Sequence, residues 1–154
     1  MGDSVNTIPH LVGKSAPNFH VTTLDGREVS LSDFAGKAVL INFWATWCGP
    51  CRLEMPWLAQ LREQYAHQGF EVLGIVTDRA SDDKVMQVGK ESGVQYPILH
   101  CNHETAQAYG GLAYLPSSFY VDRTGKVVFE TADASSKVEI EAYIRRTLQL
   151  HMRR

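Results

Sequence analysis

The chain has 154 residues, 44% of them hydrophobic and 21% charged, with a formal net charge of −2. That length suits one domain with a substantial core, and the near-neutral charge excludes a broad basic surface for nucleic acid or anionic lipid. No apolar run approaches the roughly 20 residues that cross a bilayer, and three cysteines are too few for a disulfide scaffold.

Residues 1–12 lack periodicity and are expected to form a flexible arm ahead of a single domain over residues 13–150. Met1-Gly2-Asp3-Ser4-Val5 has neither the charged start nor the apolar stretch of a signal peptide. The expectation is therefore either a cytoplasmic protein or one whose leader is absent from this chain. Phe19–Thr22 and Arg27–Ser30 flank Leu24-Asp25-Gly26, which reads as a hairpin through an Asp-Gly turn. Leu31–Gly36 fits a single helical turn. Ala38–Trp44 is short, β-branched and aromatic, so it reads as a buried strand, with Trp44 in the core. After it, Leu53, Trp57, Leu61 and Tyr65 recur every four residues like one helix face. Gly69 can cap that helix, and Phe70–Val76 is a second apolar strand, giving a β-α-β unit with parallel strands.

Ser81 can cap a helix running to about Glu91 and ended by Gly93. Pro97-Ile98-Leu99 is a short extended piece, and Glu104–Tyr109 a brief helix stopped by Gly110-Gly111. Ser118–Asp122 and Lys126–Glu130 read as a second hairpin around Thr124-Gly125. Ser136-Lys137-Val138-Glu139 fits a capping box and opens a last helix with the stripe Ile140, Ile144, Leu148. Arg145, Arg146, Arg153 and Arg154 crowd its end, complementing the negative pole. Without repeats, low-complexity tracts or linkers, this is one mixed α/β domain.

Trp47-Cys48-Gly49-Pro50-Cys51 carries the chemistry, because it sets two thiols where a strand becomes a helix. Cys48 is expected at a helix N-terminus, where unpaired N–H groups and the macrodipole favour an anion. A thiolate is the nucleophile of disulfide exchange, and that position lowers a cysteine's pKa. Cys51, one turn along, can attack a mixed disulfide formed at Cys48. Zinc needs four ligands, and the only other cluster is His100, Cys101 and His103, which reads more simply as a polar loop with a free thiol. No metal is expected, and no nicotinamide, flavin or haem motif appears. The expected redox group is the Cys48–Cys51 pair itself.

These residues resemble the thioredoxin superfamily. Phe43-Trp44-Ala45-Thr46-Trp47-Cys48-Gly49-Pro50-Cys51 is close to its active-site segment, and Pro56 lies where that family's first helix is kinked. Leu115-Pro116-Ser117 stands where the family keeps its cis-proline loop. The segment from Val12 through Asp25-Gly26 to Lys37 resembles the TlpA/ResA-like branch, thiol–disulfide reductases of the bacterial cell envelope, many tied to cytochrome c maturation. The resemblance implies a thioredoxin fold: a central mixed β-sheet flanked by helices, with an N-terminal β-hairpin extension and an insertion before the cis-proline loop. It implies Cys48 as nucleophile and Cys51 as resolving thiol, with Trp47, Gly49, Pro50, Leu115 and Pro116 shaping a surface for an extended substrate. Thioredoxin has a buried acid where Asn42 stands here, and Asp78 is the expected substitute.

The implied activity is reduction of protein disulfides, apocytochrome c or other envelope proteins among them, fed by a membrane or soluble electron donor. The expected location is the periplasmic side of the envelope, with cytoplasmic residence as the alternative, and the expected state is a monomer that binds no nucleic acid. Two other readings compete. Ala16-Pro17-Asn18-Phe19 also resembles the peroxiredoxins of the AhpC/TSA kind, but their threonine and proline before the peroxidatic cysteine are replaced by Ala45 and Ile41. Envelope copper carriers space their cysteines by three residues, whereas this chain has two.

Overall fold

The run Ala38–Trp44 is buried along its whole length and forms β3, the centre of the sheet in a computed structural model that describes residues 10–150. Residues 1–9 of the expected arm, and Arg153 and Arg154 of the expected basic end, lie outside the described residues. The other strands are β1 (His20–Thr23), β2 (Glu28–Ser30), β4 (Phe70–Val76), β5 (Ile98–His100), β6 (Ser117–Val121) and β7 (Val127–Thr131). The helices are α1 (Gly49–Tyr65), α2 (Asp82–Glu91), α3 (His103–Ala108) and α4 (Lys137–Leu150).

The sheet order is β2-β1-β5-β4-β3-β6-β7. β3, β4 and β5 run parallel to one another, and every other pairing in the sheet is antiparallel. This is the thioredoxin-like mixed sheet with helices packed on it. The leading hairpin β1–β2 extends the sheet through β5, and β5 with α3 is inserted between β4 and the Leu115–Pro116 loop.

Successive residues of β3 alternate between two layers, as the pleat requires. Val39, Ile41 and Phe43 join Leu73, Ile75, Phe119, Val121, Phe19 and Tyr109 in one core. Ala38 and Leu40 face α1 and α4, meeting Leu58, Leu61, Tyr65, Ile140, Ile144 and Leu148. The capping box that opens α4 is present: Ser136 Oγ accepts from Glu139 N, and Glu139 Oε1 from Ser136 N.

The stripe expected on α1 needs correction. Leu53 is 60% exposed, and the buried positions are Cys51, Glu54, Met55, Leu58, Leu61 and Tyr65. Steps of four drift about 40° each around a helix of 3.6 residues per turn, so a buried face must alternate threes and fours.

The outer rim of β7 is occupied by the chain's own leading segment. Gly13 N donates to Val127 O, Val127 N to Lys14 O and Ala16 N to Gly125 O. Higher up, the Glu130 carboxylate accepts from the backbone N–H of His10 and Leu11 and pairs with the His10 ring at 2.8 Å. Leu11 is buried in the core.

Candidate active site

At the end of β3 the chain turns sharply. Thr77 donates its N–H and hydroxyl to Trp44 O, and Cys48 N donates to Ala45 O. Thr46 donates its N–H at 3.1 Å and its hydroxyl at 2.5 Å to the Asp78 carboxylate. Asp78 is thereby committed to holding this turn from the end of β4.

The turn delivers Cys48 as the N-cap of α1, its Sγ accepting from Cys51 N at 3.2 Å. Pro50 sits in the first turn, where a missing N–H costs nothing. Cys48 and Cys51 are disulfide-bonded, with their Cα atoms 5.3 Å apart. No acidic residue lies in that first turn to offset the positive pole of the helix. Both cysteines are nearly closed off, while Trp47 is 71% exposed beside them, and Gly49 and Pro50 are exposed too. The Leu115–Pro116 bond is cis, and Leu115 packs against the cluster containing Cys48, Cys51, Trp44 and Met55.

The acid beside Asn42 is Glu54, which the sequence reading did not single out. It lies three residues after Cys51, on the same helix face, and is only 2% exposed. Asn42 Nδ2 donates to Glu54 Oε1 at 3.4 Å and to Ser118 Oγ at 2.9 Å. Ser135 N donates to Glu54 Oε2 at 2.8 Å. Burial dominates these hydrogen bonds and pushes the Glu54 carboxyl up from 4.5 to about 7, with the Asp133 charge adding to the rise. A carboxyl in that range can exchange a proton near neutral pH. Its signal in the sequence was spacing, since position 54 falls inside the alternating threes and fours of the buried face.

His100, Cys101 and His103 are not gathered into a metal cluster among the described residues. His100 pairs with Asp82 at 2.9 Å, and the half-buried Cys101 thiol donates to Asn102 O at 3.3 Å. Burial raises the pKa of that thiol, which disfavours its nucleophilic form.

Residues 12–130 match the model of the AhpC/TSA family. The chain is 38% identical over 136 residues to a thiol-disulfide oxidoreductase ResA of Bacillus thuringiensis, covering 88% of this chain and 78% of that one. It is 33% identical over 133 residues to the ResA of Bacillus subtilis, covering 86% and 73%. A solved thiol:disulfide interchange protein of the thioredoxin family from Chlorobium tepidum superposes with a TM-score of 0.79 at 30% identity, over 92% of this chain and 99% of that one.

Proposed function

The chain belongs to the AhpC/TSA family and is a thiol–disulfide oxidoreductase, and from that premise we propose that it reduces protein disulfides in the bacterial cell envelope. The observation that carries the reading is the Cys48–Cys51 pair at the start of α1 with a proton-exchanging carboxyl one turn behind it.

Cys48 thiolate attacks a substrate disulfide, forming a mixed disulfide and expelling one substrate thiolate. Cys51 then gives its proton to Glu54 and attacks Cys48 Sγ, expelling the second substrate thiolate and leaving Cys48–Cys51 oxidised. Two electrons pass from the dithiol to the substrate, and a membrane or soluble donor restores them. Glu54 takes the proton role that the sequence reading assigned to Asp78, whose carboxylate is engaged by Thr46. Trp47, Pro50 and the Leu115–Pro116 loop form the surface on which an extended substrate segment lies. Apocytochrome c is a substrate of the right kind, because it presents cysteines in unfolded chain. The envelope setting rests on the TlpA/ResA-like resemblance. The protein acts as a monomer.

The test is catalysis of insulin reduction by dithiothreitol, together with the reduction potential of the pair. Catalysis with a potential below the poise of the compartment supports a reductase. A potential near that of strong oxidants overturns the reducing direction, and absence of exchange overturns the function. Cys51→Ser should trap a covalent adduct with the substrate, and capture of that adduct from cells identifies it.

A further inference from the structure

Asn42 stands in register between Gly74 of β4 and Ser118 of β6. Its Nδ2 donates toward β6, to Ser118 Oγ, and upward to Glu54. A planar amide so held turns its Oδ1 toward β4. There Gly74 carries no side chain, so the Tyr96 ring and the Trp44 indole close in on the sheet. A Cβ on it would lie 2.8 Å from Tyr96 Cε1 and 3.3 Å from Trp44 Nε1. The indole N–H, the phenol ring and the amide oxygen therefore meet above one row of the sheet, next to Glu54.

Asn42 Oδ1, Trp44 Nε1 and the Tyr96 hydroxyl are each buried without a hydrogen-bond partner. Their residues are 0%, 0% and 3% exposed. Buried polar groups in folded proteins are satisfied, often by an ordered water with three or four partners. The inventory here matches one such water. Its two lone pairs accept from Trp44 N–H and Tyr96 O–H, and one hydrogen goes to Asn42 Oδ1. The second hydrogen needs an acceptor, and Glu54 is the charge that Tyr96 feels.

We infer that Tyr96 is a positioning residue for thiol exchange: with Trp44 and Asn42 it seats a buried water that donates a hydrogen bond to the Glu54 carboxylate. This rests on the reading of Glu54 as the proton acceptor for Cys51. The water favours the ionised carboxylate, as do the donors from Asn42 and Ser135, while Asp133 opposes it. The other titratable groups around it are Cys51 on its own helix, Tyr96 before β5 and Tyr120 on β6. All three are neutral at pH 7 when the pair is oxidised, so the balance at Glu54 is set by its burial, by the hydrogen bonds and by Asp133.

The experiment is carbon-13 NMR titration of the Glu54 carboxyl in the oxidised protein, with the pH profile of disulfide exchange measured alongside. Tyr96→Phe removes one donor to the water and should raise the Glu54 midpoint by about 0.5–1 pH unit, moving the acidic limb of the profile with it. Tyr109→Phe, whose hydroxyl donates to Pro17 O on the other side of the sheet, should leave the midpoint in place. An unchanged midpoint in Tyr96→Phe, or an equal shift in Tyr109→Phe, overturns the inference. Glu54→Gln separates the two levels. If it leaves the acidic limb intact, both the Glu54 reading and the inference fall; if it removes the limb while Tyr96→Phe leaves the midpoint fixed, the inference alone falls.

Discussion

The two faces of β3 are built by opposite rules. One face presents Val39, Ile41 and Phe43 to a core without a buried carboxyl, where Phe43, Tyr109 and Phe119 meet with ring centroids 5.0–5.8 Å apart. The other presents Ala38, Leu40, Asn42 and Trp44, and buries a carboxyl, an amide and a hydroxyl among its apolar neighbours. Apolar burial stabilises roughly in proportion to the area removed from water, whereas a buried carboxyl costs free energy unless it is neutral or well bonded. The comparison teaches a division of labour within one strand: the first face holds the molecule together, and the second surrenders some stability to keep a proton near a thiol.

Four changes break or sharpen that contrast, from the largest effect to the smallest. Cys48→Ser should reduce insulin-disulfide reduction to the uncatalysed background, while circular dichroism of the fold is retained. Serine is itself a good N-cap and can still accept from Cys51 N, so chemistry is lost and the helix start is kept. Phe43→Ala, on the opposite face, should lower the unfolding free energy by about 3–5 kcal/mol in urea titrations, with the rate per folded molecule little changed. A large loss of rate there would dissolve the division.

Glu54→Gln probes the second face through pH. Between 4.5 and about 7 the folded state binds more protons at Glu54 than the unfolded chain does. Stability is therefore fully present at the acidic end of that window and falls as pH rises through it, by about 3 kcal/mol for the whole shift. The Gln variant should lose that component of the pH dependence, as read from urea midpoints at pH 5 and pH 8. Ser136→Ala removes only the hydroxyl of the α4 capping box and should cost about 1 kcal/mol at any pH, with no effect on exchange.

Much of this was legible in the chain itself. Ala38–Trp44 and Phe70–Val76 could be read to their observed ends because both are short, mostly apolar runs rich in β-branched and aromatic residues. The Ser136–Glu139 cap and the Ile140, Ile144, Leu148 stripe agree locally with what the tertiary structure needs. Cys48 could be placed at a helix start because an apolar strand ends just before it and a helical periodicity begins just after it. Leu53 and Glu54 were harder. Judged by polarity alone, leucine belongs inside and glutamate outside, and here both are reversed, because helical phase decides which side each faces. Asp78 was the more visible acid because it ends a strand at the expected edge, yet its oxygens are taken up by Thr46. A network such as Asn42–Glu54–Ser118 joins positions 12 and 76 residues apart, and no local pattern announces it.

The tie between the leading segment and β7 bears on how copies of this protein meet. At one end of the sheet, residues 13–16 already pair with Gly125 and Val127, and Glu130 fastens the chain beyond them. At the other end, β2 is only three residues long. Among the described residues neither margin offers a long row of open amide and carbonyl groups, so growth by stacking strand on strand has little purchase there even at high concentration.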